Sequence, residues 1–232
     1  VYLGRPHKVS RADDTPDRML VQVQSAVKAG IDGIIFPSVQ NIGEQIVPIS
    51  EENRVPAILI NSPLLYADHL PRMKYKYWIG SIIPDDERVG LLLAQQLIGE
   101  ARKSAPQSFH VLAIEGNPKD ESSKLRIRGL NKYVKYEKDV ASLKIVTGLW
   151  NRRAAYLEFQ KYYRDHPEVN IVWCADDDMA LGVVEAIKTL AISKPIIVGG
   201  VDWNTEALES LARRQMHVSI GGHFLDGAWA AI

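Results

Sequence analysis

Short apolar runs rich in isoleucine and valine alternate along the chain with longer segments in which apolar residues recur about every 3.6 positions. One short run is Gly33-Ile-Ile-Phe36, and the segment before it carries apolar residues at Met19, Val23 and Val27. Short runs of this kind are typical of buried strands, and the periodic segments are typical of amphipathic helices. Their regular alternation predicts βαβ units that build parallel sheets.

The pattern predicts helices over residues 16–29, 42–53, 84–102, 122–138, 152–166, 178–190 and 205–214. Strands are predicted over residues 33–36, 55–60, 78–81, 110–114, 141–147, 169–174, 195–198 and 217–220. Periodicity lapses between Leu65 and Tyr77, where aromatic, proline and basic residues cluster, so we expect the chain to cross there between two lobes. Residues 1–80 with 222–232 are assigned to an incomplete N-terminal lobe, and residues 81–221 to a C-terminal lobe. A length of 232 residues suits two such lobes.

Composition narrows the possible partners and cofactors. The 28 basic and 28 acidic residues balance, so no charge excess points to nucleic acid or to an acidic membrane surface. No apolar run approaches the roughly 20 residues that a membrane-spanning helix needs. Cys174 is the single cysteine, which excludes an intrachain disulfide and a cysteine-based metal cluster. It lies in the apolar run Ile171–Ala175, so we expect a buried, inert thiol.

The two ends of the sequence lack the usual start and stop signals. The chain begins directly on Val1-Tyr-Leu3, without an initiator methionine or a signal peptide. It ends inside Asp226–Ile232, a segment that has the pattern of the first turns of a helix. We therefore expect the chain to be cut at both ends.

Polar residues follow nearly every predicted strand, and in open parallel sheets ligands sit beyond the carboxyl ends of the strands. The segments at these positions are Asn61-Ser62, Asn117 to Asp120, Trp150-Asn151-Arg152, Asp176-Asp177-Asp178, Asp202-Trp203-Asn204 and His223-Phe224. Carboxylates and amides bind several hydroxyl groups at once, and an aromatic face covers the C–H face of a sugar ring. This mixture favours a sugar or another polyol as ligand.

A structural interpretation competes with this one, because Asp and Asn are also favoured at helix N-caps and loop ends for backbone reasons. Helix capping alone explains the residue type at many single positions. We interpret four residues as purely structural in this sense: Asp85, Asp86, Asp178 and Thr205. It does not account for the tryptophans that stand beside polar residues after two of the strands, Trp150 and Trp203.

Arg126 and Arg128 lie just inside the helix predicted over residues 122–138. A basic side chain near a helix N-terminus gains nothing from the helix dipole, so a polar partner elsewhere is expected for one of them. The other is expected to be surface charge.

The sequence also offers a weaker catalytic reading. The run Asp176-Asp177-Asp178 could supply oxygen ligands to a divalent cation, and it superficially matches the Asp-x-Asp loop of metal-dependent nucleotide-sugar glycosyltransferases. However, no nucleotide-binding loop accompanies it, no serine lies in a Gly-x-Ser-x-Gly turn, and the six histidines show no metal-ligand spacing. We expect no catalysis, no metal site and no cofactor.

Several segments together resemble the type I periplasmic sugar-binding proteins, the group that contains the ribose-binding protein and is related to the effector domains of lactose-repressor-like regulators. The most specific stretch is His166-Pro-Glu-Val-Asn-Ile-Val-Trp-Cys-Ala-Asp-Asp-Asp-Met-Ala-Leu-Gly182. Further matches in the same order are Ala29–Pro37, Val55–Ile60, Ile79–Ser81, Arg126-x-x-Gly129-Leu130 and Val198–Asp202. The resemblance implies two Rossmann-like lobes joined by crossing segments, with a ligand held between them and closure by hinge motion.

The resemblance also implies roles for individual residues. The arginine that grips sugar hydroxyls falls on Arg126, which leaves Arg128 without a role. The asparagine before Met-Ala-Leu-Gly falls on Asp176, the acidic residue after the later strand on Asp202, and the aromatic of the second lobe on Trp150. The polar residue of the last crossing falls near His223. Asn61-Ser62 stands where these proteins usually carry Asp-Arg, so the usual mode of holding a pentose or hexose is not expected.

By this resemblance the chain is expected to be a monomeric periplasmic receptor that delivers a sugar-like ligand to a membrane ABC permease. The same ligand-binding residues would serve a sensory domain that signals to a membrane-bound partner. The effector domain of a transcription regulator is a further alternative, disfavoured because the sequence has no helix-turn-helix. The expected ligand-binding residues are Asn61, Arg126, Trp150, Asp176, Asp202, Trp203 and His223.

Overall fold

The computed structural model describes residues 15–64, 71–104 and 108–221. The described residues up to Pro84 form one compact unit, and those from Asp85 onward form a second. In each unit helices flank a parallel sheet, so the predicted α/β class is confirmed. No helix among these residues is long and apolar enough to cross a membrane.

The first unit is a three-stranded parallel sheet packed against helices. Its elements are α1 (Pro16–Lys28), β1 (Ile34–Pro37), α2 (Gly43–Glu52), β2 (Ala57–Ile60) and β3 (Trp78–Ile82), with the strands in the order β1-β2-β3. Alternate strand residues such as Ala57 and Leu59 are buried because the pleat directs them toward the helices. They pack there with Phe36, Ile46 and Trp78.

The second unit is a five-stranded parallel sheet with helices between the strands. Its elements are α3 (Asp86–Arg102), β4 (Phe109–Glu115), α4 (Glu121–Val134), β5 (Val140–Thr147), α5 (Arg152–Asp165), β6 (Ile171–Cys174), α6 (Asp177–Thr189), β7 (Ile197–Asp202), α7 (Thr205–Ala212) and β8 (Val218–Gly221). The central strand β6 is buried at every position, as expected for a strand covered on both faces. Cys174 is buried within it, as predicted.

The strand order of this sheet, β5-β4-β6-β7-β8, contains a reversal. The chain steps from β4 outward to β5, and then returns to the other side of β4 to build β6, β7 and β8. Connections that diverge in this way leave a crevice between the carboxyl ends of the two strands at the reversal, here β4 and β6. The topology therefore marks one place on the sheet edge as suited to binding.

Two glycines bring α3 and α4 into backbone contact. A Cβ atom added at Gly90 would collide with the Arg126 carbonyl oxygen, and one added at Gly129 would collide with the Glu87 carbonyl oxygen. Side chains at these positions would force the helices apart. The close approach places the start of α3 beside the first turns of α4.

The strand β7 is longer than predicted. The sequence prediction ends this strand at Val198, before Gly199-Gly200, whereas the structure continues it to Asp202. A Cβ atom at Gly200 would lie 2.7 Å from the Asp176 carbonyl oxygen, so the glycine is required by close packing rather than by a turn. The prediction was wrong because a glycine pair in a strand has the same sequence signature as a turn.

Candidate functional site

Arg126 lies at the topological reversal of the second unit, in the first turns of α4. Its side chain is buried, and its Nε donates to Asp86 Oδ1 at 2.7 Å while Nη1 donates to the Ala175 carbonyl oxygen at 2.5 Å, just after β6. Nη1 also lies 3.9 Å from Asp202 Oδ1. The expectation that one arginine of this helix has a polar partner is thus confirmed for Arg126. Arg128 is exposed and pairs with Glu87 on the helix surface.

Trp150 lies beside Arg126 at the carboxyl edge of the sheet. The centre of its ring is 5.6 Å from the Arg126 guanidinium carbon. The indole N–H donates to Asp120 Oδ2 at 2.7 Å, and the ring packs flat on Gly116, where a Cβ atom would collide with it. Leu149 and Trp150 both adopt left-handed backbone conformations, with φ of 56° and 58°. The ring is therefore held from two sides and by a strained turn.

Asp202 and Trp203 form a second strained turn, after β7. Their φ angles are 127° and 61°, in the region that favours glycine. The indole N–H of Trp203 donates to the Ser219 carbonyl oxygen at 2.8 Å, and its ring packs on Gly221 at the end of β8. The Trp203 residue is still 51% exposed.

The three consecutive aspartates after β6 have three different surroundings. Asp176 Oδ1 accepts from the Met179 N–H at 2.7 Å and so caps α6. Asp177 is fully buried, and its carboxylate accepts from the Ser219 hydroxyl at 2.8 Å and from the Asn204 N–H at 3.2 Å. Asp178 is exposed and pairs with Arg152 at 3.1 Å. The three carboxylates therefore do not converge on one point.

Among the described residues there is no group of three or more histidine, cysteine or acidic side chains that could hold a metal ion. No cofactor-binding loop was predicted from the sequence. The run Asp176–Asp178, the basis of the glycosyltransferase alternative, instead serves helix capping, turn anchoring and a surface ion pair.

Burial dominates the electrostatics of this edge. It raises the pKa of Asp202 to about 8, with Arg126 opposing the rise and Asp176 and Asp177 adding to it. Burial likewise raises the pKa of Asp176 and that of Asp177 to about 6 each. The pKa of Asp86 is also raised, because its desolvation outweighs the attraction of Arg126. Near pH 7 Asp202 therefore carries a proton that it can donate, and its carbonyl oxygen still accepts.

Two further predicted residues are Asn61, which belongs to the first unit, and His223. Asn61 follows β2 in the first unit with φ of 67°, and its N–H donates to the Ile82 carbonyl oxygen at 3.0 Å. Its buried Oδ1 has no hydrogen-bond partner within the described part of the chain. His223 lies outside the described residues.

Three residues of this group were not predicted as functional. Asp86 was assigned to a helix start, and Asp177 appeared only in the polar segment after β6 and in the divalent-cation alternative. In the structure Asp86 holds Arg126, and Asp177 holds the turn of Trp203. Asp120 anchors the indole of Trp150. Each of the three has charged neighbours at or beside the start of a helix, so the sequence gives no signal that separates it from an ordinary helix-start acid.

The arrangement combines fixed donors and acceptors with aromatic faces. Arg126, Asp176 and Asp202 offer charged and protonated groups that can exchange several hydrogen bonds, and Trp150 offers an apolar face beside them. Such a site can bind a small hydroxyl-rich molecule and orient it without reacting with it.

Comparison with known proteins gives a consistent result. A family model for the periplasmic binding protein domain matches residues 3–232. A curated relative, a putative rhizopine-binding protein of Rhizobium meliloti, is 20% identical over 203 residues, which are 86% of this chain and 63% of the relative. The chain thus spans less than two thirds of that relative's length.

Two solved structures share the fold. A periplasmic sugar-binding protein from Pseudomonas fluorescens is 28% identical, with a TM-score of 0.82 over 97% of this chain and 67% of that one. The fructose-binding periplasmic domain of a hybrid two-component system is 18% identical, with a TM-score of 0.81 over 99% of this chain and 74% of that one. At that identity the second likeness shows the fold alone.

Proposed function

The chain belongs to the periplasmic binding protein domain family, and from that premise we propose that it captures a sugar or sugar-like polyol outside the cytoplasmic membrane. The relative and the two solved structures described above are named as binding proteins, so we infer that the chain is a receptor and not an enzyme. Its expected place is the periplasm, where it acts as a monomer.

The observation that carries the proposal is the grouping of Arg126, Asp202 and Trp150. A guanidinium that lies 3.9 Å from a carboxyl oxygen and 5.6 Å from an indole ring offers donors, acceptors and an apolar face to one small molecule. This is the combination that a sugar ring requires, because its hydroxyls project around the rim while its C–H groups form a face. The site also lies at the topological reversal of its sheet.

The ligand would be delivered to a membrane ABC permease. A sensory role is the alternative, since the same fold occurs in the fructose-binding periplasmic domain of a hybrid two-component system. Both roles use the same ligand-binding residues, including Asn61, Asp176, Trp203 and His223, and differ in the membrane partner.

A thermal-shift screen with ribose, fructose, glucose, galactose, xylitol and myo-inositol tests the proposal. A ligand at a hundred times its Kd stabilises the folded state by about 2.7 kcal/mol, which is readily seen as a rise in Tm. We expect at least one of these compounds to raise Tm in a saturable way, and we expect Asp202→Ala and Trp150→Ala each to abolish that rise.

The matched control is Leu208→Ala, which removes an exposed apolar side chain from α7. It should respond to ligand as the unchanged protein does. A response that persists in full in both Asp202→Ala and Trp150→Ala would show that the ligand binds elsewhere.

A further inference from the structure

Three acidic residues near the start of α3 and of α6 have partners of their own inside the protein. Asp86 Oδ1 accepts from Arg126 Nε at 2.7 Å, so this carboxylate and the guanidinium form a pair of opposite charges. Both oxygens of Asp177 accept hydrogen bonds in the interior. Asp178 forms an ion pair at the surface. The protein itself therefore supplies the contacts that these three carboxylates need.

Asp176 is less completely matched. Only 7% of the residue is exposed, and its Oδ1 accepts from the Met179 N–H at 2.7 Å. Its Oδ2 has no hydrogen-bond partner among the residues that the structure describes, and the side chain forms no ion pair with any of them. This oxygen is not enclosed, so a ligand can reach it. A largely buried carboxylate without a counter-ion is costly, because desolvation removes the water that would stabilise its charge.

Asp176 belongs to the group of residues at the topological reversal. It follows Ala175, whose carbonyl oxygen accepts from Arg126 Nη1 at 2.5 Å, and it interacts electrostatically with Arg126 and with Asp202. The guanidinium does not balance its charge, because Asp86 already pairs with that group. Burial raises the pKa of Asp176 to about 6, which leaves the carboxyl mostly ionised near pH 7.

The chemistry of a carboxylate at this place favours one kind of ligand group. A ligand hydroxyl could donate to Asp176, but an uncharged amide oxygen would accept the same bond without the cost of burying a charge. An ammonium group brings a full positive charge and three N–H donors, and charge-assisted hydrogen bonds are roughly twice as strong as neutral ones. The charge of Asp176 is thus complementary to a cationic group and unnecessary for a neutral one.

We propose, on the basis of the proposed function, that the ligand carries an ammonium group in addition to its hydroxyls, as in an amino sugar or an amino polyol. The ammonium group donates to Asp176 Oδ2, while the hydroxyls bond to Arg126 and Asp202 and Trp150 covers the C–H face. This assigns Asp176 as the residue that selects amine-bearing ligands over neutral ones.

Isothermal titration calorimetry at pH 7 with matched ligands tests the proposal on the full chain. The pairs are glucose with glucosamine, galactose with galactosamine, and sorbitol with glucamine, and each pair differs by one hydroxyl exchanged for an amine. We expect at least one amine to bind roughly tenfold more tightly than its neutral counterpart. N-acetylglucosamine and N-acetylgalactosamine keep the nitrogen without its charge and should show no such gain.

The variant Asp176→Asn removes the charge and keeps an oxygen that can cap α6, so it should weaken binding of the amine far more than binding of the neutral counterpart. Asp176→Ser also keeps a capping oxygen and provides a second reading if Asp176→Asn folds poorly. The matched control is Asp178→Asn, which removes the same charge two residues away from an exposed side chain that pairs with Arg152. It should keep the preference for the amine.

The outcomes separate the two proposals. If a neutral sugar or polyol binds and no amine binds more tightly, the cationic ligand is overturned while the sugar receptor stands. The same holds if Asp176→Asn and Asp176→Ser keep the preference for the amine, or if Asp178→Asn loses it to the same extent. If no sugar, polyol or amine binds at all, the proposed function fails together with this one.

Discussion

Asp202 combines two unfavourable features in one residue. Its backbone has φ of 127°, and its carboxyl group lies among other acids, with Arg126 Nη1 at 3.9 Å. Strain and like-charge crowding of this kind persist only where the surrounding structure fixes them, and they concentrate at functional positions. In this unit the fixing elements are β7 and the Asp177 carboxylate, which accepts a hydrogen bond from the N–H of Asn204, the residue after the turn.

The raised pKa of Asp202 predicts a pH dependence of stability. Because burial raises this pKa from 3.8 to about 8, the folded chain binds more protons than the unfolded chain between those values. The free energy of unfolding should therefore fall as pH rises from 4 to 8, by at most about 1.4 kcal/mol per pH unit from this group.

Asp202→Asn should flatten that fall, most clearly between pH 6 and 8, where Asp176 and Asp177 have largely ionised. Urea denaturation at four pH values measures it. Asp165→Asn, an exposed change at the end of α5, serves as the control and should keep the slope of the unchanged protein. An unaltered slope in Asp202→Asn would mean that this carboxyl titrates normally in the folded state.

The Arg126–Asp86 pair predicts a strongly non-additive double mutant. Both side chains are buried, so Arg126→Met leaves the Asp86 carboxylate desolvated and unpaired, which should cost about 3–5 kcal/mol. The double variant Arg126→Met with Asp86→Leu removes both charges and should recover most of that loss. Additive losses of unfolding free energy in urea denaturation would contradict the ion pair. In the thermal-shift screen, no ligand should raise the Tm of a variant that lacks Arg126.

At the scale of elements, the contact between α3 and α4 decides where Arg126 lies. These helices touch backbone to backbone at Gly90 and Gly129, and that contact brings Asp86 to the guanidinium. Strand and helix positions followed from the hydrophobic pattern. The partner of Arg126 did not, because it depends on which helices pack together and not on any local signal in the sequence.

The same distinction explains the rest of the site. Trp150, Asp176 and Asp202 were predictable because they follow strands, and the edge of a parallel sheet gathers such residues. Asp177 was missed because a buried acid at the start of α6 has the sequence signature of an ordinary helix start. Only its contacts with Ser219 and Asn204 reveal that it anchors another turn.

The helix contact predicts a contrast between two glycines. Gly129→Ala places a methyl group against the Glu87 carbonyl oxygen and should destabilise by about 1–3 kcal/mol or more. Gly99→Ala lies in α3 with open space around it and should be neutral or stabilise by about 0.5–1 kcal/mol, because alanine favours the helix. Urea denaturation measures both. Equal effects would mean that α3 and α4 are not in backbone contact.

At the scale of the whole molecule, the described residues form two units with separate hydrophobic cores. Among the described residues, more buried apolar side chains belong to the core of the second unit, which includes fully buried Phe159, Trp173 and Leu112. Overall charge is balanced, yet at the carboxyl edge of the second unit Asp86 bonds to Arg126, and Asp176 and Asp202 interact with the same guanidinium. The chain is therefore neutral overall, although acidic side chains are concentrated at this edge of the second unit.

Separate cores of unequal size predict unequal resistance to opening, which hydrogen exchange followed by mass spectrometry measures peptide by peptide. Buried apolar area sets much of the free energy of local opening, so amides of β4, β6 and β7 should exchange more slowly than those of β1 and β2. A bound sugar should slow exchange further in peptides that contain Arg126, Trp150 and Asp202, because binding stabilises only the states that keep the site intact. Peptides from the end of α5 beyond Phe159, the end opposite to Trp150, supply the internal reference. Uniform protection across both units would show that they open as one cooperative body, and ligand protection confined to the first unit would move the binding residues there.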